Sequence, residues 1–319
     1  MEIVPWIQER LLGMKKILSF IILVSFLTVS CNNTSNKNEE IRETTSKGRI
    51  RISVDESFQP VMQEQLKVFH SAYPNATVIA EYKPEAECLR DLQNDSTRMI
   101  VISRGLTAGE DKFYQEKLKY RPVYDEVAED AVAVVVNTSQ ADSVFTLDEI
   151  RALLLGTSKK NLNVAVDGNS ATSTVRYLID SVLQGKPLGK NVTGAKSSED
   201  LINYIATTPG AIGFVGVSWV TNPQSQQQEQ ALQKVKMALL ECKNYCESDE
   251  FARPSQQTIM FRQYPLVRGL HYVLKENFSG LGSGLVNFMT LERGQLIFRR
   301  ALLVPMQMQF NRRRTNLTE

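Results

Sequence analysis

The sequence predicts an α/β protein with largely parallel sheets, and three observations carry that prediction. Short apolar runs rich in β-branched residues alternate with helix-period segments, the order expected when strands are joined by covering helices. One run, "EDAVAVVVNTSQ", is apolar on both faces, as a strand buried on both sides requires. About 270 residues follow residue 48, enough for two compact lobes.

The N-terminus reads as an address. "MKKILSFIILVSFLTVSC" carries two lysines, an apolar run from Ile17 to Val29, then Ser30 and Cys31. A basic start, an apolar stretch too short to span a bilayer comfortably, and a small residue before a cysteine make a signal-peptide pattern. Met14 is read as the start, with residues 1–13 an upstream over-extension. The cysteine resembles that of a bacterial lipoprotein lipobox, which implies that Cys31 is lipidated. Leu27 stands four residues before Cys31 rather than the usual three. Residues 32–48, "NNTSNKNEEIRETTSKG", are polar and lack aromatics, the composition of a flexible tether.

After the tether, Ile50, Ile52 and Val54 alternate as a strand, and Val61, Leu66 and Phe69 line a helix. "YPN" turns the chain into the strand "ATVIAEY". "RMIVISRGLTAGE" is a buried strand ending at Ser103-Arg104 before another helix start. "TLDEIRALLLG" opens on a capping box from Thr146 to Glu149 and stops at Gly156. "LNVAVDG" is a strand that runs into "DGNSATSTVRYLID", where Val175, Leu178, Ile179, Val182 and Leu183 form one apolar helix face. Asn169, Ser170, Thr172 and Ser173 therefore stand among the unpaired N–H groups of a helix start. "SSEDLINYIATTPGAIGFVG" is helix, turn and strand; "QKVKMALLE" and "YPLVRGLHYVLKE" are further strands, and "GLVNFMTLERGQLIFRRALLVP" is helical.

Charge excludes one class of partner. Residues 1–30 hold three of the 37 Lys and Arg and two of the 35 Asp and Glu, so the chain from Cys31 carries 34 basic against 33 acidic residues. A nucleic-acid binder would show a basic excess; the basic end of the tail 313–319 reads as solvated. Beyond Cys31 lie Cys88, Cys242 and Cys246. "ECKNYC" can close a small loop as a Cys242–Cys246 disulfide in an oxidising compartment. No zinc site is expected, because only His70 and His271 could complete one.

The order of segments resembles the phosphate-binding type of ABC-transporter solute-binding protein. "SRGLTAGE" is similar to that family's serine-arginine segment, "FTLDEIRALLLGTSKKN" to its capped helix, and "DGNSATSTVRYL" to its serine-glycine-threonine loop. "PGAIGFVG", "YPLVRGL" and "FMTLERGQLIFRRALLVP" follow in family order, so the resemblance runs from residue 50 to about 306, nearly all of the mature chain. It implies a two-lobed type II periplasmic binding protein fold, each lobe a mostly parallel sheet flanked by helices. Lobe 1 is then 49–130 with 264–312, and lobe 2 is 131–263. Two crossovers are expected near 126–134 and 255–265. It also implies no enzyme activity and no cofactor. The implied role is a monomeric, exported protein, lipid-anchored at the periplasmic face of a bacterial membrane, that delivers phosphate to ABC permease subunits. The departures concern the ligand. Ala171 replaces the glycine of the serine-glycine-threonine loop, "YKPEAEC" stands where a glycine- and serine-rich loop is usual, and the first loop is "DESFQP".

An oxyanion bound without metal needs many directed donors, since burial strips its hydration. Helix N-termini, hydroxyls and an arginine fork supply them. Such groups stand at three strand-to-helix junctions: Ser57-Phe58, Ser103-Arg104 and Ser170-Ala171-Thr172, outside the carboxyl ends of strands where open α/β sheets bind ligands. The resemblance places Ser57, Ser103, Arg104, Ser170 and Thr172 at ligand positions. Each also has a structural reading: Ser57 and Ser103 as helix caps, Arg104 as an ion pair with Glu110. A carboxylate accepting the ligand's proton would favour phosphate over sulfate; Asp55, Glu56, Glu85, Glu87 and Asp167 are the candidates. Two rival functions remain. A lipoprotein of this fold can serve as a sensor, an adhesin or a binder of another oxyanion. "GNSAT" is faintly similar to a serine-hydrolase elbow, but Ala-Thr replaces its end, and both histidines read as structural although a hydrolase needs a histidine base.

Overall fold

A computed structural model describes residues 43–168 and 172–306; Cys31, Ser170 and Ala171 lie outside the described residues. The strands are β1 (Gly48–Asp55), β2 (Ala76–Lys83), β3 (Thr97–Ile102), β4 (Val123–Asn137), β5 (Val144–Phe145), β6 (Asn163–Val166), β7 (Val192–Gly194), β8 (Ala211–Gly216), β9 (Val235–Met237), β10 (Leu239–Glu241), β11 (Phe251–Ala252), β12 (Val267–Leu274) and β13 (Val304–Pro305). The main sheet has the order β2-β1-β3-β12-β4-β8-β6-β7, with β9 and β13 also on β4. A small sheet, β11-β10-β5, stands apart from it.

β4 organises the molecule. It spans 15 residues, roughly 50 Å of extended chain. Residues Val123 to Ala131 pair antiparallel with β12, and Val132 to Val136 pair antiparallel with β8. One strand thus serves both halves of a curled sheet, the two lobes of a type II periplasmic binding protein fold. In the first half β1 is parallel to β2 and β3; in the second, β6 is parallel to β7 and β8. β4 also begins earlier than its apolar run suggests, because "VYDEVAED" alternates in burial before the strand becomes buried on both faces.

Local chemistry explains the helices. Gln59–Ala72 starts with Pro60 in its first turn and buries Val61, Met62, Leu66 and Phe69. His70, in its last turn, accepts the Val78 amide at Nε2, 3.0 Å away, so it ties the helix to β2. Leu147–Leu155 has the full Thr146–Glu149 capping box and ends on Gly156 at φ 75°, a left-handed conformation glycine adopts without strain. The helix at Ser173–Tyr177 is capped by Thr172 and widens into a π-turn over Leu178–Val182. The short helix Glu85–Asp91 was not anticipated: its seven residues hold too few apolar positions to show a period. Among the described residues no helix is long and apolar enough to cross a membrane.

Three parallel strands, β1, β3 and β6, end where helices begin, at Asp55, Ile102 and Val166. The following loops bring together residues far apart in sequence, and the candidate site is built there.

Candidate functional site

Arg268 is the second residue of β12 and only 5% exposed. Its Nε donates to Asp130 Oδ2 of β4 at 2.8 Å. Its Nη1 donates to Ser173 Oγ at 2.9 Å and to Thr174 Oγ1 at 3.3 Å. The guanidinium lies over the Phe58 ring, 5.0 Å from its centre, and Nη2 has no hydrogen-bond partner among the described residues. Period-two alternation puts Arg268 on the same inward face as Leu270 and Tyr272, so strand geometry obliges the charge to be buried. It links β4 and β12 to the helix that follows β6.

Hydroxyls and carboxylates surround this cation. Ser57 Oγ lies 3.0 Å from Ser173 Oγ, joining the β1 loop to the helix after β6. Asp55 Oδ1 accepts the Ser57 amide at 2.9 Å. Burial, reinforced by the charge of Glu85, pushes the Asp55 carboxyl up to about 6. Thr172 Oγ1 donates to Asp167 Oδ1 at 2.9 Å and accepts the Val175 amide at 3.2 Å. Burial raises Asp167 as well. Glu56 accepts the Ser198 amide at 3.1 Å and the Ser198 hydroxyl at 2.7 Å. Burial and then the neighbouring Asp167 push Glu56 up to about 8. Trp219 Nε1 donates to the Glu56 carbonyl at 3.1 Å, fixing that turn.

Glu56, Asp167 and Thr172 of this cluster also line a cavity of about 340 Å³, within the usual range for small-ligand sites. Glu56, Tyr82, Lys83 and Pro84 form one wall; Asp167, Gly168, Thr172 and the segment Ala195 to Ser197 form the other. Lys83 is already paired with Glu81 and Asp91, leaving Lys196 as the exposed cation at the rim. A fully ionised divalent anion would meet several carboxylates here. An anion that brings protons, or meets protonated carboxyls, exchanges that repulsion for hydrogen bonds.

The residues singled out from sequence fall in three groups. Ser57, Phe58 and Thr172 stand in the cluster around Arg268 and Asp167. Ser103 stands beside it, but its amide and hydroxyl both donate to Glu85 Oε1, at 3.0 and 2.9 Å. Arg104 is committed elsewhere: a two-pronged pair with Glu110, at 2.7 and 2.9 Å, plus a bond to the Gly105 carbonyl. That ion pair is the structural reading of Arg104; the fully buried arginine nearby is Arg268, paired with Asp130. Of the five carboxylates considered, Asp55, Glu56, Glu85 and Asp167 converge, while Glu87 pairs with Arg90 on the surface. Cys242 and Cys246 are joined across their loop with Cα atoms 6.1 Å apart, and Cys88 is free and buried. His271 Nε2 lies 4.0 Å from Glu126 and its Nδ1 has no partner among the described residues. Sequence reasoning missed Arg268, Asp130, Thr174 and Arg176, and placed Ser173 at the helix start without assigning it to the ligand. The signal for Arg268 was its place on the apolar face of "VRGLHYVL".

Known proteins share this architecture. The phosphate-binding protein PstS of Bacillus subtilis (strain 168) is 21% identical over 297 residues, covering 87% of this chain and 89% of that protein. A putative phosphate ABC transporter substrate-binding protein from Clostridium perfringens, solved with bound phosphate, superposes with a TM-score of 0.65 at 17% identity, over 82% of this chain and 100% of that one. An ABC-type phosphate transport receptor from Vibrio cholerae gives a TM-score of 0.58 at 15% identity, over 81% and 100%. At such identities the two solved structures establish the shared fold. Residues 41–293, most of the sequence, match the PBP superfamily domain, and the chain therefore belongs to the PBP superfamily.

Proposed function

We propose that this protein captures inorganic phosphate, or a closely related oxyanion, without turnover, in the cleft between lobes 49–130 with 264–312 and 131–263. The observation that carries the reading is Arg268: a buried guanidinium at the junction of both sheet halves, with one nitrogen uncommitted among the described residues and three hydroxyl residues beside it. Asp55, Glu56 and Asp167, all raised by burial, are suited to share a proton with the ligand. Sulfate brings no proton at neutral pH, so phosphate is the better fit. The names of the relatives from Bacillus subtilis, Clostridium perfringens and Vibrio cholerae support the same ligand class.

In this reading Ser57, Ser173, Thr172 and Arg268 face the anion, and Ser170 and Ala171 complete the loop around it. Ligand holds the lobes closed around it, about a hinge suited to a strand shared by two sheets. Cys31 carries the lipid that holds the protein at the periplasmic face of the membrane, from which it hands its cargo to an ABC permease as a monomer.

Titration calorimetry against phosphate, sulfate, molybdate and phosphonates tests the reading. Phosphate should bind and sulfate should bind far more weakly. If no tetrahedral oxyanion binds at millimolar concentration, a sensor or adhesin role takes its place. The commitment of Ser103 and Arg104 to neighbouring glutamates is the observation that favours that second role.

A further inference from the structure

Glu85 has the surroundings of a bound ligand. It opens the short helix after β2, and its carboxylate is 2% exposed. Its Oε1 accepts the Ser103 amide and the Ser103 hydroxyl, at 3.0 and 2.9 Å. Its Oε2 accepts Arg176 Nε at 2.5 Å, and Arg176 Nη2 reaches Oε1 at 3.4 Å. Arg176 Nη2 also donates to Ser103 Oγ at 2.6 Å, closing the ring. A backbone amide, a hydroxyl and an arginine fork converging on two oxygens are the donors a buried oxyanion requires.

The position matters as much as the contacts. Ser103 follows β3 in the first half of the sheet; Arg176 lies on the helix after β6 in the second. Those two residues are 73 positions apart, and Glu85 is 91 from Arg176. The carboxylate therefore bridges the two halves. Burial opposes its charge, but the Arg176 bonds and the Ser103 donors outweigh burial and hold it below the usual range. Its neighbours Asp55 and Glu56 are pushed the other way.

We propose that Glu85 is a resident carboxylate that occupies Ser103 and Arg176 in place of a ligand's oxygens, latching the two halves together with no anion bound and weakening the site for phosphate. This rests on the oxyanion reading above for its ligand, but not for its latch. An incoming anion must displace Glu85 from these donors or bind without them. Arg176 is spent on the protein's own side chains, Glu85 and Asp180.

The test uses the full chain, Glu85→Gln, Arg176→Met and the double variant, with phosphate as probe and two readouts. Glu85→Gln keeps the shape and an acceptor for the Ser103 amide but removes the charge, so Arg176 is released from position 85 and keeps its pair with Asp180 at 3.3 Å. Without phosphate, Glu85→Gln and Arg176→Met should both raise the radius of gyration seen by small-angle X-ray scattering. In calorimetry Glu85→Gln should bind phosphate at least about tenfold more tightly than wild type. The double variant should lose that gain, because the released arginine is its source. If Glu85→Gln leaves both the radius of gyration and the phosphate affinity at wild-type values, the proposal is overturned while the phosphate reading stands. Weaker phosphate binding in Glu85→Gln also overturns it, since Glu85 would then be an acceptor for the ligand's proton. If no form binds phosphate yet both single variants expand, the latch stands and the phosphate reading fails.

Discussion

Replacing Arg268 with methionine should damage stability and binding together, and the structure gives the size of each effect. Arg268 and Asp130 are both essentially buried, with side chains 2% and 1% exposed, at 2.8 Å. Removing the cation leaves the Asp130 carboxylate without its charged partner in a site from which water is excluded. Losing one member of such a pair costs roughly 3–5 kcal/mol, a large part of the ~5–15 kcal/mol that holds a domain folded. Asp130 is already raised above its ordinary value by burial, against the pull of Arg268. In the variant it should rise further and take up a proton, so the loss should shrink as pH is lowered. Urea unfolding of Arg268→Met at pH 5 and pH 8 would show a larger deficit at pH 8, and Arg268→Met/Asp130→Asn should recover most of it. Phosphate affinity, measured where the variant remains folded, should fall by about 2–5 kcal/mol, the cost of removing one partner from a buried charged contact. A deficit below about 1 kcal/mol in both assays would refute the view that Arg268 is the buried cation on which the site is built.

Three further outcomes are expected. Glu56 sits well above its ordinary 4.5, at about 8; a raised folded-state value means stability is full below 4.5 and is lost as pH climbs through 8. Wild type should therefore lose roughly 1–3 kcal/mol across that window, after allowing for solvent screening, and Glu56→Gln should flatten the slope of Tm against pH. Tyr264→Phe removes a buried hydroxyl that donates to the Val132 carbonyl at 2.8 Å and accepts the Val134 amide at 3.3 Å. It should cost about 1–3 kcal/mol in denaturant unfolding; an unchanged midpoint would deny the hydroxyl any part in holding β4 at its crossing between the halves. Cys31→Ser should abolish metabolic fatty-acid labelling in a bacterial host, and labelling that persists would remove the lipid anchor from the picture.

What could be read in advance follows from how local each determinant is. Thr146, Glu149 and Gly156 announce their helix because capping is settled within a few residues. β6, β8 and β12 declare themselves through apolar composition, which reports burial directly. β4 was legible only in its second half, where both faces are covered; its first half is half-buried and carries four acidic residues, Asp125, Glu126, Glu129 and Asp130, that mask the strand. The site divides in the same way. That Ser57, Ser103 and Thr172 stand at strand-to-helix junctions is a local fact, and the structure keeps it. Which partner each donor meets is a long-range fact. Arg104 finds Glu110 only six residues away, which is why that pairing could at least be named beforehand. Ser103 finds Glu85 and Arg176, and Arg268 finds Asp130, 138 residues away. No periodicity encodes such pairings; they exist because a curled sheet brings the ends of β1, β3 and β6 to one place. Strand parity still narrows the search, since an arginine on the apolar face of "VRGLHYVL" must be buried, and a buried arginine must be paired. The departure at "YKPEAEC" therefore carries more than a lost glycine-rich loop: it places a carboxylate among the donors of the cleft, so the same sequence change that obscures the ligand supplies the test for it.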